Sequence, residues 1–141
     1  MENKVNVFTD GGSRGNPGPS ACAFVVKSNA GIILEKRGKK LGTTTNNLAE
    51  YQGVILALEY LLQEKEGSLK NILQVDFYSD SKLVVSQLNG IFKVKDSNIR
   101  NYIFEIRSKE GKIGKHITYN LIPRERNSDA DRVVNQTLDA Y

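Results

Sequence analysis

The hydrophobic periodicity of this chain changes partway along its length, and that change constrains the fold most. Residues 4–9, 20–27 and 31–40 are rich in β-branched, aromatic or alternating apolar side chains and are separated by glycine-containing turns, which is typical of strands. From Asn47 to about Lys65, apolar residues recur every three or four positions, which predicts a long amphipathic helix. The chain therefore starts as an antiparallel meander and then becomes helical.

The second half of the chain alternates between strand and helix. The predicted elements are a strand at 72–79, helices at 81–88 and 98–107, a strand at 116–122 and a closing helix at 129–140, with surface loops at 64–70 and 109–115. Strands that alternate with helices favour parallel pairing. The order βββαβααβα predicts a single α/β domain over residues 1–141: a mixed five-stranded sheet, antiparallel in its first three strands and parallel in the remainder, with helices packed on it.

Composition narrows the class of protein further. Twenty Lys and Arg against sixteen Asp and Glu give a net charge of +4, which favours a polyanionic partner, and no stretch has the roughly 20 apolar residues of a membrane span. The first residues lack the pattern of a secretory signal, and Cys22 has no second cysteine to pair with, so we expect a cytoplasmic protein without a membrane partner. The G-x-G-x-x-G sequence of dinucleotide-binding enzymes is absent.

Two carboxylates, Asp10 and Glu50, stand out in the first half. Asp10 follows an apolar strand and precedes a glycine, so it fits either a turn or a ligand at the end of the strand. Glu50 lies in line with Gly53 and other small apolar residues, on the helix face expected to meet the sheet. A glycine inside a helix costs roughly 1 kcal/mol relative to alanine, which fits a close approach of helix and sheet at the level of Glu50.

Two further carboxylates, Asp80 and Asp131, have structural alternatives. Asp80 ends the second-half strand and precedes a helix, where an aspartate also serves as an N-cap. Asp131 follows Ser128 by three residues, which is the spacing of a capping box. These capping roles and a role in a site are both compatible with the sequence.

The predicted topology favours a site. Asp10 and Asp80 end strands, and ligands of open α/β sheets bind beyond the carboxyl ends of strands. Glu50 and Asp131 lie at the starts of helices. If the strands that end at Asp10 and Asp80 are neighbours, all four acids can therefore converge at one end of the sheet. Because like charges so close repel, divalent cations are needed, and carboxylates suit Mg²⁺ or Mn²⁺ better than zinc. A pair of such ions supports phosphodiester hydrolysis.

These motifs together resemble the type 1 ribonuclease H family over nearly the whole chain. The resemblance rests on four segments in order: Thr9-Asp10-Gly11-Gly12 with Asn16-Pro17-Gly18, Thr44-Thr45-Asn46-Asn47-Leu48-Ala49-Glu50, Ser79-Asp80-Ser81, and Asn127-Ser128-Asp129-Ala130-Asp131. It implies a Mg²⁺-dependent endonuclease, with Mn²⁺ as a substitute, that cuts the RNA strand of RNA–DNA hybrids. The metal ligands and catalytic residues it implies are Asp10, Glu50, Asp80 and Asp131, which hold two ions when substrate is bound.

The resemblance also implies how a hybrid is bound. The minor groove is contacted by Asn16, Asn46 and Asn47, and the main chain near Gly12 and Ser13 senses ribose hydroxyls, in agreement with the principle that hybrids are recognised by groove shape and 2′-hydroxyls. Further substrate contacts are implied for Thr45, Lys82 and Asn98. Local roles remain open: Thr45, Asn46 and Asn47 are also suitable helix caps, Asn98 fits a loop, and Lys82 fits a solvated helix surface.

Two departures from the family pattern concern activity. Where many relatives carry a loop histidine before the last helix, this chain has Arg124, which stays charged and cannot act as a general base but can hold a phosphate or assist product departure. The segment 87–101 lacks the long basic protrusion of some relatives. The alternative function is therefore a catalytically weak hybrid-binding domain of the same fold; in either case we expect a monomer.

Overall fold

The structure is a computed structural model that describes residues 3–91 and 93–141. Its elements are β1 (Lys4–Ser13), β2 (Gly18–Ser28), β3 (Ile33–Thr44), α1 (Asn46–Glu64), β4 (Gln74–Ser79), α2 (Lys82–Leu88), α3 (Ser97–Ile113), β5 (His116–Leu121) and α4 (Ser128–Asp139), with a 3₁₀ turn at Arg124–Arg126. This order confirms the predicted βββαβααβα. Within the described ranges, no helix is long and apolar enough to cross a lipid bilayer.

The five strands form one mixed sheet in the order β3-β2-β1-β4-β5. The first three strands pair antiparallel, whereas β1 with β4 and β4 with β5 pair parallel. The predicted fold class is therefore confirmed. The pairing of β1 with β4 also confirms the neighbourhood on which the convergence of acids depends.

The two faces of the sheet pack against helices to different extents. On one face, β1 side chains such as Val5 and Val7 pack with Tyr51 and Leu58 of α1 and Ile106 of α3 in a large buried core. On the other face, α4 packs against β2 through a small cluster that consists of Ala21, Ala23, Val134 and Leu138 with Val133 beside it. Helix α1 is thus anchored much more extensively than α4.

Two glycines set the distance between α1 and β1. A Cβ on Gly53 of α1 would lie 2.7 Å from the Asp10 carbonyl oxygen, and a Cβ on Gly11 of β1 would overlap the backbone of Ala49 and Glu50. Both positions therefore require the absence of a side chain. The predicted close approach of helix and sheet beside Glu50 is confirmed, and it is reciprocal.

One boundary prediction is wrong in the second half. Residues 109–115 do not form a loop, because α3 continues to Ile113 and ends at Gly114, whose φ of 68° gives a left-handed C-cap. The buried Ile106 and Ile113 are seven residues apart and hold both halves of the helix on the core. The intervening polar residues concealed this repeat in the sequence.

Candidate active site

Three of the predicted carboxylates meet at one edge of the sheet. Oxygen atoms of Asp10, Glu50 and Asp80 lie within 4.8 Å of one another, and all three side chains are half-buried. The exposed Asp131 lines the same pocket from α4 but lies outside this close group. The structure thus brings all four acids to one pocket, as a tight trio with a fourth acid beside it.

Asp10 lies inside a strand rather than at its end, which corrects the prediction. On the β4 side, the parallel pairing stops at Phe8 with Tyr78, but on the β2 side the antiparallel pairing continues through Ser13 with Ser20. Asp10 therefore extends β1 beyond the end of its parallel neighbour. The extra pairing fixes the backbone of Asp10 and frees its side chain to face Asp80, the residue that follows β4.

The capping alternatives for Asp80 and Asp131 are wrong. Ser81 caps α2, because its hydroxyl accepts a hydrogen bond from the amide of Val84 at 3.2 Å. Helix α4 already begins at Ser128, so no capping box forms, and its N-cap Asn127 makes no side-chain capping bond. Neither aspartate is used to cap its helix.

Burial and repulsion between neighbouring carboxylates disfavour ionisation of Asp10 and Glu50. Desolvation, followed by the negative charge of Asp80, raises the pKa of Asp10 to about 8, and Glu50 and Asp131 also contribute to this rise. Desolvation raises the pKa of Glu50 to about 7, opposed by a hydrogen bond with Ser81 and by the charge of Arg124. The fold therefore holds carboxylates in an arrangement that favours added positive charge.

The donor set fits a hard divalent cation. The Oε2 atom of Glu50 is buried and has no hydrogen-bond partner, although an unpaired buried carboxylate oxygen is costly. Glu50 belongs to the trio, so a cation held there would provide its carboxyl group with a partner and relieve the repulsion. Carboxylate oxygens alone suit Mg²⁺ or Mn²⁺.

The loop after β1 is fixed by hydrogen bonds between predicted substrate residues. The amide of Ser13 donates to Asn46 Oδ1 at 2.8 Å, and the amide of Asn46 donates to Asn16 Oδ1 at 3.0 Å. Gly12, Ser13 and Asn46 line the pocket. Because the two side-chain amides use oxygen atoms as acceptors here, their NH₂ groups remain available as donors.

The remaining predicted substrate residues lie outside the pocket lining. Thr45 is the N-cap of α1, since its hydroxyl accepts from the amide of Leu48 at 3.3 Å, whereas Asn46 and Asn47 lie in the first turn and are not caps. Lys82 is the exposed first residue of α2. Asn98 is exposed in the first turn of α3, so its interpretation as a loop residue is wrong.

Two arginines line the pocket, and sequence reasoning assigned a role to only one. Arg124, in the 3₁₀ turn before α4, lies in the pocket wall as predicted, and its charge lowers the pKa of Glu50. Arg14 also lines the pocket and forms an ion pair with Asp139 at the end of α4. Arg14 follows Gly12 by two residues, so its position in the sequence indicates that it lies near the pocket. The sequence does not indicate its ion-pair partner, which is 125 residues away.

Two asparagines missed by sequence reasoning position the acids. Asn127 is buried and donates from Nδ2 to the carbonyl of Thr9 at 2.9 Å, while its own carbonyl accepts from the amide of Asp131. Asn135 donates from Nδ2 to the carboxylate of Asp131 at 3.3 Å. The first contact joins the strand of Asp10 to the helix of Asp131. Its only signal in the sequence was the spacing of four residues between Asn127 and Asp131.

Comparison with known proteins gives one consistent family. Residues 8–137 match the reverse transcriptase-like family. The chain is 36% identical over 138 residues to the bifunctional protein Rv2228c of Mycobacterium tuberculosis, but it spans only 36% of the length of that relative. It is 35% identical over 139 residues to ribonuclease HI of Halobacterium salinarum, covering 96% of this chain and 65% of that protein.

The comparison with solved structures covers nearly complete chains. The crystal structure of LC11-RNase H1 in complex with an RNA/DNA hybrid superposes with a TM-score of 0.90 at 34% identity, covering 96% of this chain and 97% of that chain. RNase H1 from the halophilic archaeon Halobacterium salinarum gives a TM-score of 0.88 at 33% identity, with 98% and 99% covered. With this fold and this extent of similarity, the chain belongs to the type 1 ribonuclease H family.

Proposed function

We propose that this chain is a monomeric, divalent-metal-dependent endonuclease that hydrolyses the RNA strand of RNA–DNA hybrids. The observation that carries the proposal is the trio of Asp10, Glu50 and Asp80, whose oxygens lie within 4.8 Å in a pocket shared with Asp131. Family membership supports the reaction class, and LC11-RNase H1, which shares the fold, is seen bound to an RNA/DNA hybrid.

The acid trio and Asp131 would hold the metal ions. Asp10 is central because its pKa responds to the charges of Glu50, Asp80 and Asp131. A pair of Mg²⁺ ions bound there would supply activation of the attacking water and neutralisation of the leaving oxygen. Mn²⁺ meets the same oxygen-ligand requirement and is expected to substitute.

The protein's own groups orient the substrate at these acids. The backbone of Gly12 and Ser13 reaches the pocket without intervening side-chain bulk at Gly12, which suits contact with a ribose 2′-hydroxyl. The amide NH₂ groups of Asn16 and Asn46 are left free to donate into a minor groove, and Asn47 lies exposed beside them. Such contacts distinguish a hybrid from DNA by shape and not by base sequence.

Three residues outside the pocket wall, Thr45, Lys82 and Asn98, are proposed as contacts to the phosphate backbone. Thr45 is held at the start of α1 by its capping bond, and the other two lie exposed at the starts of α2 and α3. Helix N-termini favour anions, which supports phosphate contacts there. Arg124 adds a permanent charge within the pocket, where it can hold a phosphate during cleavage or product departure.

Cleavage of labelled substrates tests the proposal. We expect the parent protein to cut the RNA strand of a hybrid with Mg²⁺ or Mn²⁺, and neither EDTA-treated protein nor Asp10→Asn to do so. Double-stranded RNA and DNA of the same sequence serve as controls. An Asp10→Asn protein that cuts at the parent rate contradicts the metal assignment, and a parent that binds hybrid tightly without cutting supports the binding-domain alternative.

A cytoplasmic location is also proposed, supported by Cys22 being a free, buried thiol.

A further inference from the structure

The carboxylates of the pocket create a problem for binding a nucleic acid. Before cations bind, four acidic side chains face a substrate whose backbone is itself a polyanion. Affinity therefore depends on positive groups at the rim, and among the described residues the cationic side chains lining this pocket belong to Arg14 and Arg124. Arg124 already has a place in the proposed function, whereas Arg14 does not.

The backbone of Arg14 is held firmly. Its amide donates to the carbonyl of Pro19 at 2.9 Å, and a Cβ at Gly18 would overlap the Arg14 carbonyl oxygen, so the loop closes tightly on itself. The preceding residue, Ser13, is tied to Asn46 at the start of α1. The loop therefore presents the Arg14 side chain from a fixed point beside the groups expected to contact ribose.

The ion pair of Arg14 is easily exchanged. The side chains of Arg14 and Asp139 are 51% and 67% exposed, and exposed ion pairs contribute little to stability. Asp139 is the last residue of α4, where the helix dipole disfavours a negative charge. A phosphate approaching Arg14 would thus replace a weakly held partner, and the guanidinium group offers the paired N–H donors that phosphates accept well.

The pocket extends along α4 from the acids toward Arg14. Asp131, Val134, Asn135 and Leu138 line it at intervals of three and four residues, so one face of the helix forms its wall. Asp139 lies eight residues after Asp131, which is about 12 Å along the helix. At about 3.4 Å per nucleotide along a duplex axis, this distance corresponds to three or four nucleotides.

We propose that Arg14 binds a backbone phosphate of the RNA strand about three or four nucleotides from the cleavage position, and that Asp139 holds its side chain in the free protein. This inference rests on the proposed function, because it assumes that the RNA strand passes the acid trio. Arg14 thereby extends substrate binding along α4, away from the metal ligands.

Substituting each member of the ion pair in turn distinguishes phosphate binding by Arg14 from a purely structural role of the pair. Hybrid affinity is measured by fluorescence anisotropy with Mg²⁺ over a series of salt concentrations, in an Asp10→Asn background to prevent cutting. We expect Arg14→Ala to weaken binding about tenfold and to reduce the slope of log K against log salt by about 0.9. Asp139→Asn is expected to leave binding unchanged or to tighten it. Arg132→Ala, which removes an exposed charge elsewhere on α4, is the matched control.

The outcomes distinguish this inference from the proposed function. If Arg14→Ala and Asp139→Asn weaken binding equally, or if Arg14→Ala behaves like Arg132→Ala, the ion pair is only structural and the inference is wrong, while hybrid binding by the parent still stands. A parent that does not prefer hybrid to duplex DNA overturns both. Circular dichroism of each variant checks that the fold is retained.

Single uncharged methylphosphonate linkages in the RNA strand locate the contact. We expect one linkage, three or four nucleotides from the cut, to weaken binding of the Arg14-containing protein and to have no effect on Arg14→Ala. The absence of any position with this dependence would overturn the assignment to an RNA-strand phosphate.

Discussion

The two sides of the acid pocket are built differently. On the α1 side, Asp10, Glu50 and Asp80 are half-buried, and interlocking glycines and a large core fix their backbone. On the α4 side, Asp131 is exposed on a helix that packs through a small apolar cluster. Rigid burial holds the trio together despite the cost of repulsion. The exposed side has groups that can change partners at little cost, as the ion pair of Arg14 illustrates.

The largest expected difference concerns Asp10 and pH. The pKa of Asp10 is raised from 3.8 to about 8. Between these two pH values, the folded metal-free protein therefore keeps a proton on Asp10 that the unfolded chain loses. The contribution of this bound proton to the free energy of unfolding is complete below about pH 4, falls as the pH rises, and is lost above about pH 8. We expect Asp10→Asn in EDTA to match the parent near pH 4 and to exceed its free energy of unfolding by several kcal/mol near pH 8. Urea denaturation at a series of pH values measures this difference.

Added Mg²⁺ provides the control for the pH experiment. Ion binding to the folded parent should recover much of the stability lost at high pH, because a ligand that binds only the native state stabilises it. The Asp10→Asn protein should gain less. Equal pH profiles for the two proteins in EDTA would show that the trio carries no electrostatic cost.

The glycine contacts give the next largest effect. In Gly11→Ala the new methyl group meets the backbone of Ala49 and Glu50, so α1 must shift, and we expect a loss of about 2 to 3 kcal/mol in the free energy of unfolding. Gly12→Ala is the stability control, because its Cβ would have no neighbour closer than 3.9 Å. Similar stability of the two variants would contradict the close-packed description of the α1 side.

Removal of one charge from each side compares them directly. Glu50→Gln removes a desolvated carboxylate whose pKa is raised to about 7, and we expect the metal-free protein to gain about 1 to 3 kcal/mol at pH 8. The exposed Asp131→Asn should change stability by less than about 0.5 kcal/mol. Thermal unfolding in EDTA compares the stability of the two variants. A larger gain in stability for Asp131→Asn than for Glu50→Gln would contradict the prediction. Both variants should lose cleavage activity.

The smallest predicted effect on cleavage is that of Arg124. Because its guanidinium group cannot transfer a proton at neutral pH, Arg124→Ala should slow turnover only about tenfold, as expected from the loss of one charged contact to phosphate. Stabilisation of the protein by Mg²⁺ should persist. Arg124→Lys, which keeps the charge, is the matched variant. A cleavage rate unaffected by Arg124→Ala would exclude Arg124 from the reaction.

The sequence predicted the element order and the sheet well, because hydrophobic periodicity reports directly on which faces are buried. It predicted less well where elements begin and end. Asp10 continues β1 because the partner strand β2 is long enough to pair with it, and α3 continues to Ile113 because the core holds that residue. Both boundaries depend on partners elsewhere in the chain.

The sequence by itself determined the residue types of the candidate site and their places on strands and helices, since these follow from local pattern and motif. Only the tertiary structure decided that three acids form a tight trio with Asp131 beside it, that Asn127 joins Thr9 to the start of α4, and that Arg14 meets Asp139. The last two contacts join residues more than 100 positions apart. Their geometry is set by packing between helix and sheet, which no local pattern encodes.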